Sequence, residues 1–322
     1  MLDHYLKIFS GLHTDKSHSR WSAATAHRAP HKPFLLLTVI DLVAQGTITE
    51  NFIDPEFELA GTFANYWSQI MPLGSKGIVA YPFYHLSSDK FWHLVPRPGT
   101  LISAGKVISS LTKLRELYLG AKLDEELWQL LVNPDTRQKL RAVLIGSYFS
   151  GDLYPALIEQ GRVNLAAKKY SDNLLSVSEQ LQEYAPLNAA DGHERKVRDQ
   201  GFRRAIVTIY AHRCSLCGLR MLTPEGHTAI DAAHIHPWSE SFNDHPTNGL
   251  ALCRLCHWAF DEGLMGVGRR YEVLISPQVN SQSNFPGHIL TLSERGIFKP
   301  ESGDFWPSQT QLGWHRKEVF RK

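Results

Sequence analysis

The chain has four cysteines, and they stand as two Cys-x-x-Cys pairs: Cys214 with Cys217, and Cys253 with Cys256. Thiolates hold Zn²⁺ tetrahedrally at about 2.3 Å, and a two-residue spacer lets one tight turn supply two of the four ligands. Two such turns close the coordination shell and leave no open position, so the expected metal is a structural zinc. This constrains the fold strongly. The segment between the pairs must double back so that the second pair meets the first. That segment is short and polar, and a metal replaces the core it would struggle to build. Disulfides are the competing use of paired cysteines. The N-terminus, Met1-Leu2-Asp3-His4-Tyr5, lacks the basic-then-apolar pattern of a secretory signal, so a reducing, cytoplasmic setting is expected and favours metal ligation.

At 322 residues the chain has length for about two domains. Hydrophobic residues make up 43%, enough for packed cores, and no apolar run is long enough to cross a membrane. The formal net charge is only +2, so a nucleic-acid partner has to be argued from local sites rather than from a global basic field.

The first long element follows Pro33. Phe34 to Val43 is almost wholly apolar and Gly46 lies just past it, a buried helix with proline at its start and glycine at its end. Glu56 to Ile70 reads as a helix stopped at Pro72. Between Ile78 and Leu94, the runs Tyr81-Pro82-Phe83-Tyr84-His85-Leu86 and Phe91-Trp92-His93-Leu94 flank Ser87-Ser88-Asp89-Lys90, which predicts a strand–turn–strand unit. Lys106 to Phe149 reads as two or three helices punctuated by Gly120 and Asn133-Pro134. Leu165 to Tyr184 reads as a polar connecting helix and Ala185 to Gly192 as a linker. From Glu194 another helix starts, with Phe202, Ile206, Ile209 and Tyr210 on one face. Arg195, Lys196, Arg198, Arg203 and Arg204 form either a solvated face or a phosphate-contacting one. The expected class is α+β: a mainly helical N-terminal domain with a short sheet (1–160), a linker helix (161–192) and a smaller zinc-stapled domain (193–322).

Around the second cysteine pair lie His234 in Asp231-Ala232-Ala233-His234, Asn248 in Thr247-Asn248-Gly249-Leu250, and His257 directly after Cys256. The order His…Asn…His with these knuckles resembles the HNH, or ββα-metal, nuclease family over roughly residues 194–275. The resemblance implies that His234, at a strand end, is the general base that deprotonates water, a task suited to a neutral imidazole near pH 7. It implies that Asn248 braces the loop orienting that base. His257, with Asp261 four residues on along a helix and therefore on the same face, would hold a catalytic divalent metal, Mg²⁺ or Mn²⁺. Many members carry a metal ligand immediately before the base; here that position is Ala233, and Asp231 is the expected substitute. His236 is either a rival ligand or a packing residue.

Nearer the N-terminus, Pro30-His31-Lys32-Pro33-Phe34-Leu35-Leu36 sets basic groups before the first buried helix, and Tyr81-Pro82-Phe83-Tyr84-His85 is rich in rings. Together they resemble the sulfur-binding domains that recognise phosphorothioated DNA, over about residues 1–155. The resemblance implies a sulfur cup formed by Tyr81, Pro82 and His85, with His31 and Lys32 holding the remaining phosphate charge. Lys32 stands where the family usually has arginine, which removes the planar fork needed for bidentate contacts. Arg20 and Arg28 are candidate base or phosphate contacts.

The combined expectation is a modification-dependent restriction endonuclease that binds double-stranded, phosphorothioated DNA and cuts nearby. Double-strand cutting by a single-site nuclease favours a homodimer. Two alternatives stand beside it: the same nuclease reading methylated cytosine or plain sequence, and a zinc-stapled DNA-binding regulator that does not cleave.

Overall fold

The computed structural model describes residues 1–72, 75, 77–100, 108, 110–180, 192–223, 227–280, 284 and 286–322, the side chains of 177–180 excepted. The chain divides into two compact units: Met1–Leu165 with Thr223–His227, and Ala166–Leu222 with Thr228–Lys322.

The first unit is helical around a small sheet. Helix α1 (Leu2–Ser10) is followed by α2 (His31–Ala44), α3 (Phe57–Ile70), α4 (Ala80–His85), strand β1 (Trp92–Pro96), α5 (Leu111–Leu117), β2 (Tyr118–Leu123), α6 (Glu125–Val132), α7 (Pro134–Tyr148) and the start of α8 (Tyr154–Gln180). α2 is the central rod: every residue from Lys32 to Leu42 is buried. Such a helix has no solvated face to carry polar groups, yet it carries Asp41. The carboxylate is fully satisfied inside the core. Tyr66 donates to its Oδ2 at 2.8 Å and Asn164 at 2.7 Å, and the Arg141 guanidinium pairs with Oδ1. Residues of α2, α3, α7 and α8 thus meet on one buried charge, the only way it can be kept without a large desolvation cost.

The expected aromatic hairpin is corrected here. Tyr81 to His85 is helical, and the strand that follows, β1, pairs antiparallel with β2, with Trp92 opposite Leu123. Pro82 does not oppose a helix because it is the third residue of α4, where the missing N–H has no intrahelical partner to lose. A strand would have put Tyr81, Phe83 and His85 on one side. The helix instead exposes Tyr81 and His85, one turn apart, and buries Phe83 completely. The helix is favoured because it hides the more apolar ring. The stretch from 110 to Phe149 holds three helices and one strand; Gly120 lies within β2, where it marks no break. A Cβ at Gly120 would meet the Ile53 carbonyl at 2.5 Å, so the residue is glycine to let Ile53 bridge onto the sheet at Ala121. Lys106, Val107 and residues 185–191 of the expected linker lie outside the described residues.

The second unit takes the remainder of α8, then α9 (Gly192–Ile209), β3 (Ile230–His234), α10 (Trp238–Ser241), β4 (Gly249–Cys253), α11 (Arg254–Asp261), β5 (Met265–Val267), β6 (Val273–Ile275) and α12 (Gln309–Glu318). β3 and β4 form an antiparallel pair running from Ile230 opposite Cys253 to His234 opposite Gly249, and α11 follows at once. This is a ββα unit. α9 covers it with Phe202 and Ile206, both buried. They press so closely that a Cβ at Gly249 would lie 2.3 Å from Ile206. The observed class is the expected α+β, mainly helical with short sheets.

Candidate nuclease site and DNA-binding face

The two cysteine pairs meet. All four Sγ atoms lie within 4.8 Å of one another, and Cys217 and Cys253 are 3.8 Å apart. Zinc–sulfur bonds of 2.3 Å directed tetrahedrally require sulfurs about 3.8 Å apart, so the set fits a zinc ion. Four thiolates this close repel one another unless a cation sits among them. The first pair sits in a turn closed by Gly218 donating to the Cys214 carbonyl. Ser215 donates from its backbone to Ala251 and ties that turn to β4. The second pair spans the end of β4 and the first turn of α11. The staple therefore fixes the strand and helix that follow from it.

His234 ends β3. Its ring lies parallel to Phe202 at 3.9 Å, and its Nε2 is 2.7 Å from Oδ1 of Asp244, a carboxylate with no exposed surface. Asn248 is equally buried. Its Nδ2 donates to the carbonyls of His236 and Asn243, and its Oδ1 accepts from the His236 backbone. One amide thus ties both ends of the loop that leaves His234. His236 is a packing residue: it stacks on Trp314 at 3.9 Å and contacts Gln311.

His257 and Asp261 lie one turn apart on α11, with Nε2 and Oδ2 separated by 3.5 Å. Burial raises the Asp261 carboxyl above its usual range, partly offset by His257. An imidazole nitrogen and a carboxylate oxygen suit a hard divalent ion whose remaining positions go to water and phosphate oxygens. Asp231 does not join them. It lies three residues before His234, on the opposite side of the strand, and is held by Arg203 at 2.8 Å. Among the described residues, the cysteines are the one group of three or more ligating side chains brought together. The basic face of α9 is likewise partly spent: Arg203 on Asp231, Arg195 beside Asp199, and Arg198 buried over the Trp238 ring at 3.8 Å.

In the first unit the expected binding residues separate into two sets. The Tyr81 and His85 rings meet at 4.6 Å, tilted by 51°, on the exposed side of α4, and His31 lies 6.3 Å from Tyr81 and also against Trp67 and Trp21. Burial among these rings pulls His31 down to about pH 4, and His85 is lowered by burial and by Lys32. Arg20 is exposed beside Asp15, and Arg28 lies over Tyr148. Lys32 and Pro82 are buried. The Lys32 ammonium is buried, 2.6 Å from Asp89 Oδ2 and 3.0 Å from Ser88 Oγ, so it is no free phosphate clamp. Asp89 also accepts from the backbone and ring of His13. Pro82 is a buried residue of α4, not a surface one.

Asp244, Tyr170, Phe202, Trp21, Trp67 and Asp89 were not anticipated from the sequence. Two had a signal: Phe202 on the apolar face of α9, and Asp89 in the polar turn before β1. Asp244 sits in an Asn-Asp-His run with nothing to mark it.

Residues 214–268 match the HNH endonuclease family model, and residues 12–166 match that of the ScoMcrA-like DNA sulfur-binding domain. No curated protein sequence matches. Solved structures are similar too, two restriction endonucleases among them. One is the modification-dependent TagI restriction endonuclease, at 20% identity over 37% of each chain, with a TM-score of 0.28. The other is the Type IV phosphorothioation-dependent restriction endonuclease ScoMcrA, at 13% identity over 79% of this chain and 93% of that one, with a TM-score of 0.34. The chain spans little more than a third of the TagI chain. By its two family matches, the chain joins a ScoMcrA-like DNA sulfur-binding domain to an HNH endonuclease domain.

Proposed function

We propose that the chain is a restriction endonuclease that binds phosphorothioated double-stranded DNA and hydrolyses phosphodiester bonds nearby. The observation that carries this is the pairing, in one chain, of a sulfur-binding match over 12–166 with a buried-acid-supported His234 and a loop-bracing Asn248 on a ββα unit tied to a four-cysteine cluster. We keep the functional division 1–160, 161–192 and 193–322.

In this reading His234 takes the proton from a water molecule. The water oxygen forms a bond to phosphorus while the bond to the 3′-oxygen breaks; that oxygen takes a proton from solvent and His234 returns its proton to solvent, leaving a 5′-phosphate and a 3′-hydroxyl. Asn248 keeps the loop, and hence the base, in place. A divalent metal bound at His257 and Asp261, Mg²⁺ or Mn²⁺, would supply charge stabilisation to the phosphoryl and leaving oxygens. The cysteine site would hold structural Zn²⁺. For recognition, sulfur is larger and less strongly hydrated than oxygen. The ring faces of Tyr81, His85 and His31 accept sulfur at small desolvation cost. A phosphate oxygen there loses water without replacement, costing about 1–3 kcal/mol, or roughly tenfold to a hundredfold in affinity. Arg20 and Arg28 lie on exposed or half-buried ground suited to the DNA backbone. Double-strand cutting would take two copies related by a two-fold axis, and cysteines kept as metal ligands suit a reducing, cytoplasmic setting.

The test is a set of matched duplexes: one with a single stereodefined phosphorothioate, one methylated and one plain, each with protein and Mn²⁺ or Mg²⁺. Preferential binding and cutting of the sulfur duplex is expected, with Tyr81→Ala reducing the preference. Equal treatment of all three overturns the sulfur reading and leaves the nuclease.

A further inference from the structure

We infer that Asp244 is a positioning residue for His234, and that Tyr170 positions Asp244 in turn; the inference rests on His234 being the base. Asp244 Oδ1 is 2.7 Å from His234 Nε2, and Oδ2 accepts from the Tyr170 hydroxyl at 2.7 Å. Arg198 Nε lies 4.0 Å from Oδ2, and Arg198 itself pairs with Asp199. An ionised carboxylate only accepts hydrogen bonds. Nε2 must therefore carry the ring proton, which leaves the Nδ1 lone pair as the base. Phe202, stacked at 3.9 Å and nearly parallel, blocks rotation of the ring out of this pose. When Nδ1 takes a proton from water, the imidazolium charge forms 2.7 Å from a buried anion that stabilises it.

The arrangement exceeds what folding needs. A core position with no exposed surface is costly for a carboxylate, and an apolar residue would pack there more cheaply. Each Asp244 oxygen instead has its own donor, as a group that must hold one orientation requires. Tyr170 comes from α8, far earlier in the chain than the nuclease motif, so the chemistry of the motif depends on a residue outside it.

The test uses the full chain, a phosphorothioate duplex and Mn²⁺, with variants Asp244→Asn, Tyr170→Phe and His234→Ala. Asp244→Asn should melt and bind duplex like the parent. Its kcat should fall roughly a hundredfold with KM unchanged. The acid limb of its kcat/KM profile should move to lower pH, because loss of the anion makes His234 easier to deprotonate. Tyr170→Phe should lower kcat several-fold in the same manner. Nitrogen NMR of the parent should show His234 as the Nε2–H tautomer, a readout that needs neither metal nor turnover. A folded Asp244→Asn within twofold of parental kcat with an unmoved acid limb, or an Nδ1–H tautomer in the parent, overturns the role of Asp244. If Asp244→Asn fails to fold, Tyr170→Phe and the tautomer decide. Cleavage retained by His234→Ala overturns the base assignment itself.

Discussion

The nuclease unit and the sulfur-binding unit build their sites by opposite routes. In the nuclease, Cys214 to Asp261 is one short stretch in which a metal cluster, a strand pair and a helix follow in order. Spacing along the chain is nearly spacing in space, because the cysteine cluster ties the end of β4 and the start of α11 to the turn at Cys214. In the sulfur-binding unit, His31 comes from the start of α2 and Tyr81 and His85 from α4, with α3 between them in sequence. Their proximity is set by what the core buries. Chemistry carried on a local scaffold survives as a motif. A surface shaped by packing does not, and its residues are assigned to face or core only once the helix turns are known.

The largest expected effect strikes the scaffold. Cys256→Ser removes one of the four thiols of the proposed zinc site, and structural zinc in small domains contributes on the order of 10 kcal/mol to folding. The nuclease unit should lose its melting transition and all cleavage. The sulfur-binding unit, whose core contains no cysteine, should melt as before and keep its duplex affinity. Calorimetry with a binding titration checks this. Loss of both units together would break the comparison.

What the sequence made legible follows the same division. The cysteine pairs and the buried α2 could be read from spacing and apolar pattern, while the ββα order came with the resemblance carried by His234, Asn248 and His257. The helix at Tyr81–His85 could not, because aromatic runs favour strands until burial of Phe83 decides otherwise. Lys32 read as a free cation because nothing in its neighbourhood announces Asp89, which arrives from across a helix and a turn. Asp231 read as a metal ligand because strand register alone does not show that Arg203 of α9 reaches it first. Asp244 was invisible for a similar reason: its partners, His234 and Tyr170, come from different elements. In each case the missing information is a tertiary pairing of charges or rings.

The second effect sharpens the fate of Lys32. Asp89→Ala leaves a buried ammonium with only Ser88 as partner and frees the His13 contacts, which should cost about 3–5 kcal/mol in the sulfur-binding unit. The double replacement Lys32→Met with Asp89→Leu removes both charges and should recover most of that loss, measured by denaturant unfolding. If Lys32 is the buried strut described above, the double variant also keeps its preference for phosphorothioated duplex. Loss of that preference in a stable double variant would mean that the lysine leaves Asp89 to reach the phosphate.

The smallest effect is a pH slope. His31 titrates near pH 6.5 in an unfolded chain and near pH 4 when folded, because burial among Trp67, Tyr81 and Trp21 disfavours its charged form. Between those values the unfolded state binds the extra proton. Stability of the sulfur-binding unit should therefore be independent of His31 above about pH 6.5. It should fall as pH drops toward 4, by at most about 1.4 kcal/mol per unit, and level off below. His85, lowered in the same direction, adds a smaller slope of the same sign. His31→Gln should flatten the curve measured by urea unfolding across pH 4–7. A phosphate group seated against His31 favours the imidazolium, so saturating phosphorothioate duplex should shrink the parental slope and leave that of His31→Gln unchanged. An equal response in both proteins would place the bound phosphate away from His31 and move the recognition face off the α2–α4 corner.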